Sequence, residues 1–252
     1  MTCARAAAVG HLEVLKYARE HGCVWDKRTC AKAAAGGHLE VLMWAQQHGC
    51  EWGEADKYEE EQEVIHMNCC ALAAQGGHLA VVQWAREHGC EWNEYTCATA
   101  AEGGHLEVLQ WVRAHGCPWE EDSELSDKDC CQLAASGGHL EVLKWLREHN
   151  CPWDVDTIAS AARGGHLEVL KWLRETDCPW DQGACSGAAE GGHLEVLKWL
   201  REHRYPWDER TCQYAAYRGN LEVLKWAREH HCPWDRHTRQ FAEQRGHLEL
   251  LQ

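Results

Sequence analysis

Positive charge is in short supply in this chain. Its 25 Lys and Arg face 40 Asp and Glu, a formal net charge of −15 over 252 residues. A surface built to hold nucleic acid rests mainly on cations that neutralise phosphates, so nucleic acid is excluded as the expected partner. Long apolar runs are also missing. No stretch approaches the roughly eighteen apolar residues that a membrane-spanning helix needs, and MTCARAAAVG has no charged segment followed by a signal-like apolar run. The expectation is no membrane insertion and an intracellular, most simply cytoplasmic, location. There is no phosphate-cradling glycine loop, no nucleophile elbow, and no one cysteine that stands apart from its fellows. The chain therefore reads as a non-enzyme with no cofactor.

What is present is a repeat. Gly followed by His-Leu recurs at Gly10, Gly37, Gly77, Gly104, Gly138, Gly165, Gly192 and Gly246, with Gly-Asn-Leu at Gly219. The intervals are 27, 40, 27, 34, 27, 27, 27 and 27 residues, a 27-residue unit with two insertions. Each unit reads as two helices. In HLEVLKYAREHG, Leu12, Val14, Leu15, Tyr17 and Ala18 form an apolar face opposite Glu13, Lys16, Arg19 and Glu20. Gly22 is placed to end that helix in the left-handed region. A Cys-x-Trp link follows, and then an Asp (Asp26, Asp154, Asp181, Asp208, Asp235) suited to cap a short Ala-rich helix. Two short helices cannot bury an apolar face alone, so copies must stack. The expected fold is all-α: an α-solenoid of stacked helix-turn-helix units. It forms a single array over 1–252, with about eight full units, partial units at both ends, and insertions at 53–65 and 120–126. Neither end carries the polar face of a terminal unit, so a segment of a longer protein or assembly is expected.

The run GGHLEVLKWLREHGCPW, in varied forms, resembles the second helix of ankyrin repeats, as does Ala100, Ala101, Gly104, His105. The resemblance covers the whole chain. The departures are a unit of 27 residues instead of 33 and the absence of the Thr-Pro-Leu-His start. With the alanines aligned, Cys97 falls where the family has a buried Leu. The missing residues fall between Trp92 and Tyr95, where ankyrins extend a β-hairpin finger. The resemblance thus implies units that mostly lack the finger, restored or exceeded by the insertions after Trp52 and Trp119. Such short, Trp- and Cys-rich arrays resemble those of large DNA viruses and some protists.

Sixteen cysteines raise three readings: zinc sites, disulfides or core packing. Zinc needs four Cys or His ligands, and each unit offers two Cys and a His. The upstream Cys is replaced by Tyr205 in one unit, the downstream Cys by Ile158 and Arg239, and the intervening His by Thr176. Each substitution leaves the rest of its set in place. Independent drift favours small-hydrophobe packing over a metal-binding array or disulfides, and an intracellular setting weakens disulfides further. A zinc-binding structural array remains the alternative function. The His of Gly-His-Leu has one substitute, Asn220, which suits a polar contact at the helix start better than zinc. Tryptophan occupies both the link (Trp25, Trp52, Trp92, Trp119, Trp153, Trp180, Trp207, Trp234) and a second-helix slot. Its strict recurrence favours two ladders of well-buried rings between units over a ligand surface.

If the framework repeats, function should sit where repeats differ. GEADKYEEEQEVI (53–65) and EEDSELSDKD (120–129) each hold six acidic residues and one Lys, together ten of the fifteen net negative charges. They read either as solvated, partly disordered loops or as a docking strip for a protein partner with a basic surface. The strip would comprise Tyr58, Glu59, Glu60, Glu61, Ile65, Glu121, Asp122 and Glu124. The ankyrin resemblance places the first helix on a concave binding face. There Lys32, Tyr214 and Phe241 are too different to share one packing role, and Tyr217 varies with them. The chain is expected to be a protein–protein interaction scaffold.

Overall fold

A computed structural model of the chain describes residues 3–25, 28–52, 54–58, 64–92, 95–117 and 130–247, with backbone alone at 54–58 and 64–67. The chain divides into two compact units, Met1–Ser126 and Asp127–Gln252. In the first run α1 (Cys3–Ala8), α2 (Leu12–Glu20), α3 (Thr29–Ala35), α4 (Leu39–Gln47), β1 (Glu54–Tyr58), β2 (Val64–Asn68), α5 (Cys69–Gln75), α6 (Leu79–Glu87), α7 (Tyr95–Glu102) and α8 (Leu106–Ala114). In the second run α9 (Cys130–Ser136), α10 (Leu140–Glu148), α11 (Val155–Gly164), α12 (Leu167–Glu175), α13 (Gly183–Gly191), α14 (Leu194–Glu202), α15 (Glu209–Arg218), α16 (Leu221–Glu229) and α17 (Arg236–Arg245).

Within each unit the odd-numbered helices stack directly on one another, α1–α3–α5–α7 and α9–α11–α13–α15–α17, and each even-numbered helix packs on the helix before it. Side-chain size explains the arrangement. The first helices are built from Ala, Cys, Thr and Gly, and their buried faces let backbones approach closely. At Gly187 an added Cβ would lie 2.5 Å from the Ala159 carbonyl oxygen, so no larger residue fits between α11 and α13. From α4 onward the second helices bury a Val, then a Leu or Val, and a further Leu, Val or Ala at i, i+1 and i+4, as with Val169, Leu170 and Leu173. Their outer faces carry Lys–Glu pairs three residues apart, such as Lys171–Glu168 at 2.6 Å, each worth a few tenths of a kcal/mol at about 0.2–0.5.

The helix ends follow the sequence closely. Asp154 caps α11 in a capping box with Thr157, Asp208 accepts from the Arg210 amide, and Asp235 accepts from the Thr238 amide. Asp181 accepts from the Gly183 amide at 2.7 Å. Asp26 lies outside the described residues. In the 53–65 insertion the expectation of loose acidic loops needs correcting at the backbone. β1 and β2 pair antiparallel in the register Glu54↔Asn68, Lys57↔Ile65 and Tyr58↔Val64, a hairpin at the place the finger was expected. It returns straight into α5, whose first turn Asn68 caps by accepting from the Ala71 amide. The 120–126 insertion lies outside the described residues.

The packing sharpens one expectation and corrects another. The His of Gly-His-Leu makes the expected polar contact at the helix start, and its partner is a carbonyl of the preceding repeat. His38 Nε2 meets the Ala8 carbonyl at 3.2 Å, His78 that of Ala35 at 3.2 Å, and His105 that of Gln75 at 3.0 Å. Asn220 does the same work, donating from Nδ2 to Ala189 and Glu190 carbonyls at 2.8 and 3.0 Å. Gly77 lies under the next histidine. Its φ is +73°, and a Cβ there would sit 2.4 Å from His105 Nδ1, so backbone and neighbour both require glycine. The tryptophans among the described residues, in turn, are half-buried or exposed and lie outside the core. They form one ladder of pairs in place of two separate ladders. The link Trp of one repeat meets the second-helix Trp of the next edge-to-face: Trp25–Trp44 at 5.9 Å, Trp92–Trp111 at 5.9 Å, Trp153–Trp172 at 5.8 Å and Trp207–Trp226 at 6.0 Å. Two such rings can meet that way because edge-to-face packing matches the positive rim of one ring to the negative face of the other.

Candidate functional site

The first-helix surface varies from repeat to repeat in what it shows to solvent. Lys32 on α3 is exposed. Thr99, in the same slot, is buried, its hydroxyl donating to the Ala71 carbonyl at 3.0 Å and the Tyr95 carbonyl at 2.7 Å. Ser160 and Gly187 are buried too, whereas Tyr214 is 41% exposed and Phe241 half-buried. The slot therefore opens only where its residue is large or charged.

The position before the glycine pair forms side-chain links between neighbouring repeats. In the first unit Gln75 donates to Glu102 at 2.9 Å. In the second, Glu190 accepts from Arg163 at 2.8 Å and from Arg218 at 2.9 Å. At Tyr217 the series turns aromatic: its ring meets Phe241 at 87° and 5.9 Å, with the Arg245 guanidinium 4.0 Å over its centroid. Tyr214 stands three residues earlier on α15, and residues at that spacing are neighbours on a helix surface. The structure thus brings Tyr217 and Phe241 together, with Tyr214 beside them, and places Lys32 in the other unit. Tyr58 and Ile65 lie in β1 and β2, while Glu59, Glu60, Glu61, Glu121, Asp122 and Glu124 lie outside the described residues.

The polar atoms of the zinc reading are engaged elsewhere. The histidine before each link hydrogen-bonds backwards, as His48 Nδ1 to the Trp44 carbonyl and His203 Nδ1 to the Trp199 carbonyl, and stacks on that ring. Thr176 fills the same role, donating to the Trp172 carbonyl at 2.8 Å. Among the described residues no group of three or more His, Cys, Asp or Glu is arranged to hold a metal ion. The cysteines instead meet in pairs. Cys3 and Cys23 sulfurs are 2.9 Å apart, the Cys30 and Cys70 sulfurs donate towards the Cys50 and Cys90 carbonyls at 3.9 and 3.8 Å, and Cys97–Cys117 and Cys212–Cys232 repeat the twenty-residue spacing. Accepting a thiol hydrogen bond lowers one member of each of these four pairs: Cys50, Cys90, Cys117 and Cys212. In the repeat with Tyr205, burial pushes the Cys185 thiol up to about 12.

On the outer side of the second unit, α14 and α16 border an open groove of about 450 Å³ lined by Lys198, Arg201, Glu202, Trp207, Trp226 and His230. The Arg201 guanidinium lies 4.2 Å over the Trp207 ring. Similar Arg-on-Trp contacts recur at Arg147–Trp153 and Arg228–Trp234. Sequence reasoning missed this groove. The signal was the Arg six residues before every link Trp except Trp52, which has Gln46 there.

Residues 131–174 and 186–228, spanning most of α9–α12 and α13–α16, match the family model described as ankyrin repeats (many copies). These two stretches carry ankyrin repeats. Among solved structures, the chain is similar to the crystal structure of the human ASB11 ankyrin repeat domain. The TM-score is 0.52 at 21% identity, over 71% of this chain and 84% of that one. At that identity the likeness is one of fold. A search of curated proteins gives no match. Ankyrin repeats are in general protein–protein interaction modules. This ankyrin fold is all-helical apart from the β1–β2 hairpin among the described residues, and no described helix is long and apolar enough to cross a membrane. Cys97, expected at the buried-Leu position of the family, is indeed buried.

Proposed function

We propose that the chain is a non-enzymatic, intracellular interaction scaffold whose partner docks on the first-helix face of the second unit, at Tyr214, Tyr217 and Phe241. The observation that carries this reading is the change along one face. Slots filled by buried Ser160 and Gly187 give way to three aromatic side chains with two guanidinium groups near Tyr217. Framework packing has to repeat from unit to unit, so a cluster that breaks the pattern is free to serve recognition. Aromatic and Arg side chains are also those that dominate binding energies in protein interfaces.

The acidic insertions, with Tyr58, Glu59, Glu60, Glu61, Ile65, Glu121, Asp122 and Glu124, supply a second element for a partner with a basic surface. Lys32 is assigned to the first-helix face of the first unit. Their concentration of negative charge supports fast, salt-sensitive association. The single-array reading over residues 1–252 rests on the recurrence of the repeat text through the whole chain. Affinity capture with three baits tests the proposal: the native chain, the triple variant Tyr214→Ser, Tyr217→Ser, Phe241→Ser, and a deletion of 53–65. Specific partners should be lost with the triple variant and weakened with the deletion. The same partners at the same yield from all three baits would remove the assignment.

A further inference from the structure

The repeat places two cysteines twenty residues apart, one on the first helix and one in the link that follows the second helix. The fold brings them into contact inside one repeat. Cys3 and Cys23 sulfurs lie 2.9 Å apart; Cys30 donates towards the Cys50 carbonyl and Cys70 towards the Cys90 carbonyl, at 3.9 and 3.8 Å. A disulfide bond is about 2.05 Å long and forms only where the two side chains already face one another. Cys3–Cys23 meets that condition directly, Cys30–Cys50 and Cys70–Cys90 place the first-helix sulfur against the link cysteine, and Cys97–Cys117 and Cys212–Cys232 repeat the same spacing in the same elements. All sixteen cysteines are thiols in this structure.

We propose that these pairs, Cys3–Cys23, Cys30–Cys50, Cys70–Cys90, Cys97–Cys117 and Cys212–Cys232, are dithiol modification sites that close to disulfides, one per repeat, by exchange with a small-molecule disulfide. The electron balance is that of thiol–disulfide exchange. The more acidic thiol, as its thiolate, attacks one sulfur of the oxidant; the oxidant's S–S bond breaks, and its other half leaves as a thiolate that takes up a proton. The second protein thiol then gives up its proton and attacks the mixed disulfide at the protein sulfur, expelling the remaining half as a second small thiol. The protein loses two electrons and two protons, and the oxidant gains both.

Four of the five pairs contain a thiol lowered towards the thiolate. Cys50, Cys90 and Cys117 are lowered first by the hydrogen bond from the first-helix thiol and further by Arg19, Arg86 and Arg113 respectively. In the last pair Cys212 is the lowered member, with Arg228 nearby. Access comes from the link side. The link residues are outside both helices, Cys23 is half-buried, and Val24, Glu51 and Glu91 beside the sulfurs are exposed. Opening a link therefore breaks few helical hydrogen bonds. Cys69 and Cys70 stand side by side at the start of α5 and both bear on the Cys90 thiol, so its disulfide has two candidate partners there. Cys185 provides an internal control, because Tyr205 stands where its partner thiol would be and its sulfur donates towards the Tyr205 carbonyl at 4.0 Å.

The full chain is reduced, desalted, incubated with glutathione disulfide, trapped with N-ethylmaleimide in denaturant, and mapped by mass spectrometry without reduction. Expected are crosslinked peptides joining Cys3 to Cys23, Cys30 to Cys50, Cys97 to Cys117, Cys212 to Cys232, and Cys90 to Cys69 or Cys70. Cys185 should carry the maleimide. In Cys50→Ser, Cys30 should become fully labelled while the other four crosslinks persist. The proposal is overturned if the paired cysteines stay labelled, if crosslinks between different repeats are as abundant as those within one, or if Cys185 is crosslinked. Circular dichroism of the oxidised chain matching that of the reduced chain establishes that the crosslinks formed in the folded state; a loss of helix would count against the proposal.

Discussion

Replacing His105 separates two accounts of the Gly-His-Leu histidine. Its Nε2 bonds the Gln75 carbonyl at 3.0 Å, and its ring lies over Gly77 and Gly103, where added Cβ atoms would come within 2.4 and 2.5 Å of it. His105→Ala removes one hydrogen bond to a partly buried carbonyl, about 1 kcal/mol net. It also removes the apolar edge of a half-buried ring, another ~1 kcal/mol by area. The expected loss is ~2 kcal/mol, concentrated at the junction of α5 with α7 and α8, because each repeat is stabilised by its neighbours. His105→Asn should recover about half of it, since Asn220 already makes the same reach to the Ala189 and Glu190 carbonyls. Native-state hydrogen exchange on α5, α7 and α8 gives the local free energies, and a thermal melt gives the global trend. Asn and Ala variants with equal losses would refute the donor role and return the histidine to the list of metal ligands. A lossless Ala variant would refute the contact altogether.

Three further outcomes follow from the same geometry. Arg204 holds φ +66° where an earlier repeat has Gly22, and its side chain is exposed; Arg204→Gly should raise stability by about 0.5–1 kcal/mol in thermal melts, since a left-handed non-glycine residue costs more than glycine's added chain entropy. Trp153→Ala loses the edge-to-face contact with Trp172 and the cation stacking of Arg147, and should cost about 2–3 kcal/mol by melt, somewhat less than truncation of a fully buried ring. Asp235→Ala removes the cap of α17 and should cost ~1 kcal/mol. Burial opposes ionisation of Asp235, but bonds from His237, the Thr238 amide and Gln213 outweigh it and hold the carboxyl well below its ordinary value. A depressed folded value means its contribution is present above the unfolded pKa and fades as pH falls through the folded one, so the native chain and Asp235→Ala should converge in stability only in strong acid.

The helices and their ends were legible because they depend on neighbours in sequence. Apolar residues at i, i+3 and i+4, an Asp before each later first helix and a left-handed residue after each second helix are local signals. They place α10, α12, α14 and α16 with little ambiguity. The burial of Cys97 and the exchange of Cys for Ile158 could also be read, since substitution among copies reports what a position tolerates. The interaction surface was legible only in part. Tyr214, Tyr217 and Phe241 break the repeat pattern, but the pattern does not say that Thr99, Ser160 and Gly187 in an equivalent slot are buried.

The sequence alone therefore determined the repeat, the two helices in each unit, their caps and the small-sided first helix that allows close stacking. Only the tertiary structure decided what each polar or aromatic group faces: the histidine reaching back a repeat, the link tryptophan meeting the next repeat's ring, and the thiol meeting its partner twenty residues on. Periodicity fixes which side of a helix a residue occupies. Which atom lies opposite depends on how far the neighbouring backbone can approach, and that distance is set by the glycines and alanines of another repeat.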